Sequence, residues 1–159
     1  METNIGISKD HLKSVVEILS GILANEVTLY MKTRKFHWNV TGESFMEFHK
    51  LFEKQYELLD EAMDQVAERI GKLGSPAIGT LEEYLKLTTI KEHPGQYPSS
   101  IDMVSELLKD HEMVIVQLRK DVDACADKYK DAGTADFLTA LMETHETIAW
   151  TVRRYLNKF

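Results

Sequence analysis

Five residues in the first half of the chain carry side chains that bind transition metals: His37, His49, Glu53, Asp64 and Glu68. Oxidising iron or manganese calls for hard oxygen ligands and a few imidazoles. Carboxylates bind both oxidation states and neutralise charge, and imidazoles help hold the reduced ion. The question is whether one chain can bring these groups together.

At about 100° per residue, Glu53, Asp64 and Glu68 stand roughly 40°, 60° and 100° around a helix from His49, so all four share one face. Their heights disagree. His49 and Asp64 are 15 residues apart, roughly 22 Å along a helix axis at about 1.5 Å per residue. Metal–ligand bonds are only about 2 Å long, so a single copy of this helix cannot close the site. An antiparallel second copy crossing near Tyr56–Glu57 would set His49 and Glu53 of one chain beside Asp64 and Glu68 of the other. Two-fold symmetry would then create two equivalent sites. The competing intrachain design places a Glu-x-x-His step on two helices of a bundle. The residues three before His11, His37, His49, His93, His111 and His145 are Ser8, Arg34, Met46, Ile90, Leu108 and Met142, so that step is absent. Spacing alone leaves one alternative open, in which the acids form a solvated helix face and the histidines are structural.

The elements that must carry these residues are helical. Leu12, Val15, Val16, Leu19, Ile22, Leu23, Val27 and Tyr30 recur at helical spacing, predicting a first helix from about Ser8 to Trp38. Ser44 and Glu47 form a capping-box pattern for a second helix with the stripe Phe45, Phe48, Phe52, Leu59, Met63, Val66, Ile70 and Leu73, ended by Gly74-Ser75-Pro76. Thr80 and Glu83 predict a short helix over Leu81–Leu87 inside a long connection that contains all three prolines. Ser100 opens a third long helix to about Lys130, with Ile101, Val104, Leu108, Ile115 and Leu118 inward. Thr134, after a break at Asp131-Ala132-Gly133, opens a fourth. The expected fold class is all-α, a four-helix bundle with a short helix between helices two and three, over a single domain spanning 1–159.

Composition limits what such a bundle can bind. The chain has 159 residues with 19 basic and 26 acidic side chains, a net charge of −7, which disfavours broad contact with phosphate. The single Cys125 excludes an internal disulfide and a multi-cysteine zinc site. No apolar run of about 18 residues is evident, and the start lacks the basic and apolar blocks of a secretory signal. A cytoplasmic location is expected.

The run His37-Trp38-Asn39-Val40-x-Gly42-x-x-Phe45-x-x-x-His49-x-x-Phe52-Glu53-x-x-Tyr56, followed by Asp64-x-x-Ala67-Glu68-Arg69, resembles the signature of the Dps family. These are mini-ferritins named as DNA-binding proteins from starved cells. Leu73-Gly74-Ser75-Pro76, Gly79-Thr80 and Ile90-Lys91-Glu92 resemble its middle connection. Asp131-x-Gly133-Thr134-x-Asp136 and His145-Glu146-x-x-x-Trp150 match more loosely.

The resemblance covers nearly the whole chain and implies a ferritin-like bundle assembled into a twelve-subunit homo-oligomeric shell. It implies two iron sites per two-fold interface, with His37, His49 and Glu53 from one subunit and Asp64 and Glu68 from its partner. The implied activity is oxidation of Fe(II) to Fe(III), with hydrogen peroxide preferred, followed by mineral storage and protection from oxidative stress. Family members most often carry Asp where Glu53 stands, which bears on the second, weaker iron position. Trp38 resembles a family tryptophan that donates electrons or scavenges radicals.

Other residues have less specific readings. Asp127, Asp131 and Asp136 lie where the resemblance implies an iron-uptake pore; an ordinary acidic turn is the other reading. His145 and Trp150 are expected to be structural, and Cys125 inert. His11, His93 and Asp110-His111-Glu112 are expected at the surface, and Met31, Met46, Met63, Met103, Met113 and Met142 in the core. The alternative function is nucleoid binding that protects DNA by coverage. Members that bind DNA use lysine-rich tails, whereas residues 1–13 here balance Lys9 and Lys13 against Glu2 and Asp10, and the far end offers Lys158 after Arg153-Arg154. Twelve copies would carry about −84, so weak or absent DNA binding is expected.

Overall fold

The computed structural model describes residues 3–156, and every regular element among them is helical. The order is α1 (Lys9–Asn39), α2 (Phe45–Lys72), α3 (Leu81–Leu87), α4 (Ser100–Asp123), a π-helical turn (Ala124–Lys128) and α5 (Ala132–Tyr155). Short connections pair α1 with α2 and α4 with α5, while the long α2–α4 connection lays α3 on α1. One hydrophobic core joins the four long helices through Leu19, Leu23, Leu29, Phe52, Leu59, Ile70, Met103, Leu107, Leu118 and Leu138. This is the expected four-helix bundle with a short helix in its long connection.

The helix ends show where local chemistry wins. Ser8 caps α1 by accepting from the His11 N–H at 3.3 Å. The Thr80–Glu83 capping box forms as read, and three bonds from the Thr80 hydroxyl and the Gly79 and Thr80 N–H groups pull the Glu83 carboxyl below its ordinary value. The box expected at Ser44 does not form. There the backbone carbonyl alone receives the N–H groups of Glu47 and Phe48.

Two other starts shift. Ser99, not Ser100, caps α4 by accepting from the Asp102 N–H. Asp131, not Thr134, caps α5, accepting from the Thr134 N–H and hydroxyl at 2.9 and 2.6 Å. The third long helix also ends earlier than read, because Tyr129 N–H bonds back to Ala124 and Asp131 N–H to Cys125, widening the last turn into a π-helix. Gly133 then lies inside α5 and lets Arg69 approach; a Cβ there would meet the guanidinium at 3.0 Å.

Several burial expectations are corrected. Ile101 and Phe45, expected inward, are exposed, as are Met31, Met46 and Met113. Met103 and Met142 are buried as read. The expectation of no membrane-scale apolar helix also needs correction, since α1 is long and apolar enough by length and composition. In the fold it is a bundle-core helix, with Glu26 and Lys32 buried against polar partners from α4 and α5. Of the terminal charges weighed above, Glu2 and Lys158 lie outside the described residues.

Candidate metal centre

The α1–α2 turn brings the two histidines of the sequence signature together. His37 ends α1 and His49 stands in the second turn of α2, with ring centroids 3.7 Å apart and stacked. Each ring is anchored by the other residue's backbone: His37 Nδ1 donates to the His49 carbonyl at 2.7 Å, and His49 Nδ1 donates to the His37 carbonyl at 2.9 Å. A carbonyl only accepts, so both Nδ1 atoms carry the proton and both Nε2 atoms keep a lone pair. That is the tautomer a metal-binding imidazole needs, held by the outer contacts that normally fix a ligand's orientation. Spacing could not reveal this clamp, because it closes across a turn between residues 12 apart.

Glu53 follows one helical turn after His49 and is half-buried. Tyr56 abuts the pair with its ring perpendicular to His37, centroids 5.2 Å apart. Burial, then the Glu53 charge, raises the Tyr56 phenol above its ordinary pKa. Phe45 closes the other side against His49 at 5.1 Å. Arg34, one turn before Trp38, lies over the Tyr30, Trp38 and Tyr56 rings at 5.5, 5.3 and 4.7 Å. Trp38 itself is 58% exposed. Consecutive helical residues point about 100° apart, so its neighbour His37 turns inward while Trp38 turns out.

Asp64 and Glu68 lie farther along α2, both exposed. Glu68 accepts from Lys72 at 3.1 Å, an exposed pair that contributes little to stability. Asp64 borders an open groove of about 810 Å3 floored by Leu23, Val27, Met63 and Ala67 and rimmed by Leu81 and Tyr84 of α3. Leu81 and Leu85 are 72% and 65% exposed, forming an apolar face with no cover in the single chain. Among the described residues no three His, Cys, Asp or Glu side chains converge on a metal-sized position. The fold joins His37 to His49 and leaves Asp64 and Glu68 away from them.

A second polar constellation departs from the sequence expectation. Asp110-His111-Glu112, expected at the surface, is split by the helix. Glu112 stays outside and pairs with Arg153. Asp110 is mostly buried beside Lys32, which also pairs with Glu106; burial raises the Asp110 carboxyl and Lys32 opposes this. His111 is fully buried and meets His145 Nδ1 to Nδ1 at 2.9 Å, while His145 Nε2 meets Glu26 Oε1 at 2.9 Å. With Glu26 as the carboxylate, His145 donates to it and accepts from His111. The network ties α1, α4 and α5 together. Burial and the neighbouring His145 push His111 well below the ordinary imidazole range. His145 is thus structural as expected. The missed signal was helical phase: His111 stands three and four residues after the buried Leu108 and Leu107, and three before the buried Val114.

The acidic turn before α5 divides similarly. Asp131 is buried, capping α5 and receiving Arg69 Nη2 at 3.0 Å, so its charge is paired inside the chain. Asp127 and Asp136 are exposed. Cys125 is buried, and desolvation beside Asp131 and Asp121 pushes its thiol up to about 11, which suppresses the reactive thiolate. His11 rests edge-on against Tyr129, and Trp150 is exposed under Arg154.

The sequence model of the Ferritin-like domain matches residues 16–159. An uncharacterized low temperature-induced protein of Nostoc is 46% identical over 97% of this chain and 86% of its own length. The "DNA protection during starvation protein 2" of Bacillus anthracis is 34% identical over 92% of this chain and 99% of its own. Among solved structures, the Dps protein of Vibrio cholerae, described as one of the ferritin-like diiron-carboxylate proteins, superposes with a TM-score of 0.91. It shares 28% identity and covers 99% of this chain and 98% of that one.

Proposed function

Because the chain belongs to the Dps branch of the ferritin-like family, we propose that it is a ferroxidase and iron-storage protein, with Fe(II) and hydrogen peroxide as substrates. The observation that carries this reading is the clamped pair His37 and His49, whose two Nε2 lone pairs are free for a metal. Its site is shared: His37, His49 and Glu53 of one chain bind iron with Asp64 and Glu68 of an antiparallel partner. The groove beside Asp64 and the bare leucines of α3 supply an apolar surface for that two-fold contact.

Two irons held together can deliver two electrons in one event. Peroxide then takes up two protons and leaves as two waters, and hydroxyl radical is not released. The imidazoles favour Fe(II), and the carboxylates stabilise the product Fe(III). Hydrolysis and mineral growth follow inside a twelve-subunit shell in the cytoplasm. Protection of DNA, which the relative's name carries, is then exerted by removing iron and peroxide. A shell at about −84 repels phosphate, so coating of DNA is not expected at ordinary salt.

Stopped-flow mixing of Fe(II)-loaded protein with peroxide tests the reading. Fast Fe(III) absorbance should appear in the native chain and be lost in a His49→Ala plus Asp64→Ala variant of unchanged helicity. No fast phase in the native protein would refute the activity.

A further inference from the structure

The groove beside Asp64 is lined by the carboxylates of Glu57, Asp60, Glu61 and Asp64, with no basic side chain among its walls. Laying an antiparallel copy of α2 there brings carboxylate against carboxylate. Like charges set opposite each other across a contact disfavour it unless a cation stands between them. Arg34 lies one helical turn beyond Tyr30, which belongs to the groove wall. Tyr30 meets Tyr56 and Phe36 meets Phe52 across the α1–α2 pair. Arg34, between Tyr30 and Phe36 on α1, is therefore level with the Phe52–Tyr56 turn of α2, which carries Glu53.

The Arg34 guanidinium is held in place but not satisfied. The Tyr30, Trp38 and Tyr56 rings surround it, and it donates to the Tyr30 hydroxyl. Its Nε is shielded from solvent and has no acceptor among the described residues. Shielded donors without acceptors are rare in folded proteins. A guanidinium already fixed by rings also loses little freedom when a carboxylate arrives from outside the chain.

The two-fold contact supplies that carboxylate. Glu53 lies four residues after His49, and Asp60 four before Asp64. The crossing that sets His49 beside the partner's Asp64 thus also sets Glu53 level with the partner's Asp60, two acids at the height of Arg34. Asp60 stands about 40° around the helix from Tyr56, on the side of α2 that turns toward α1, whereas Glu57 stands about 100° from it. We propose that Arg34 of each chain forms an ion pair with the partner's Asp60, and that this pair sets the register in which His37 and His49 face the partner's Asp64 and Glu68. The inference rests on the shared-site reading above and makes Arg34 a positioning residue.

The test uses the two-fold itself. Arg34→Asp makes both members of the pair acidic, and Asp60→Arg makes both basic, so each variant alone should lose two-fold association at least about tenfold. Mixed in equal amounts, the two variants restore opposite charges at both symmetry-related positions. A contact within one chain would stay repulsive in either variant. Native mass spectrometry, with one variant isotopically heavy, counts mixed against like pairs, and circular dichroism checks that helicity is unchanged. Mixed pairs should outnumber like pairs several-fold. Mixed pairs no more abundant than like pairs, native protein that stays monomeric, or Arg34→Asp complemented by Glu57→Arg and not by Asp60→Arg would overturn the proposal. Peroxide-driven Fe(III) formation is followed in the same samples and should return in the mixture. No Fe(III) in native protein alongside restored mixed pairs defeats the ferroxidase reading and leaves the ion pair standing. Fe(III) in native protein without preferential mixed pairing defeats the ion pair alone.

Discussion

At the scale of single residues, the clamp between His37 and His49 sets what the site can do. Each ring leans on the other residue's main chain, so removing one side chain leaves the other ring's hydrogen bond in place. His37→Ala should therefore weaken Fe(II) binding at least ~10–100-fold, the loss typical of removing even an outer-shell partner, while His49 continues to bind weakly. Anaerobic titration measures this, and unchanged affinity would exclude His37 as a ligand. Glu53→Asp should raise occupancy of the second, weaker iron position, which the same titration would read.

The buried Glu26–His145–His111 network makes separate predictions about stability. Glu26→Ala leaves the buried His145 Nε2–H without an acceptor, and denaturant unfolding should show a loss of about 1–3 kcal/mol. His111 stays neutral in the fold to well below its ordinary value. The unfolded chain therefore binds more protons than the folded one once pH falls below about 6.5. Stability should drop as pH falls through that value and go on dropping until the folded value is reached. His111→Leu should remove this share of the acid sensitivity, as urea midpoints between neutral pH and pH 5 would report.

At the scale of elements, the start of α5 joins the bundle's two helix pairs. Asp131 caps α5 and receives Arg69 from the last turn of α2, while Arg69 Nε also donates to Thr134 at 2.9 Å. Asp131→Ala should cost about 2 kcal/mol or more, the upper range for a lost cap, because a half-buried guanidinium loses its partner too. Thermal unfolding would register it, and a change within a few tenths would contradict the anchor. The apolar stripes of the long helices were legible in sequence because helical period alone sets which side faces the core. Their ends were less so. Neighbouring cap-competent residues such as Ser99 and Ser100, or Asp131 and Thr134, compete, and the winner depends on a tertiary partner such as Arg69. The same limit explains the site: its residue types and their shared face could be read along α2. The reciprocal His37–His49 bonds and the inward turn of His111 required the chain to fold across a loop or against other helices.

At the scale of the whole molecule, His37 and His49 lie apart from Asp64 and Glu68 within one chain, and in the proposed assembly they are two halves of one shared site. Leu81→Glu with Leu85→Glu should leave the bundle folded, since no α3 residue is buried, yet break the two-fold contact and lose iron oxidation. Light scattering and circular dichroism would separate those effects. The central claim is tested most directly by mixing two inactive variants. One carries His37→Ala and His49→Ala, the other Asp64→Ala and Glu68→Ala, and the two are co-assembled in equal amounts. If each site takes its histidines from one chain and its distal carboxylates from a partner, random two-fold pairing rebuilds about one quarter of the sites. Peroxide-driven Fe(III) formation should return to about that fraction of the native amplitude. Mixed assemblies as inactive as either parent would contradict the shared site.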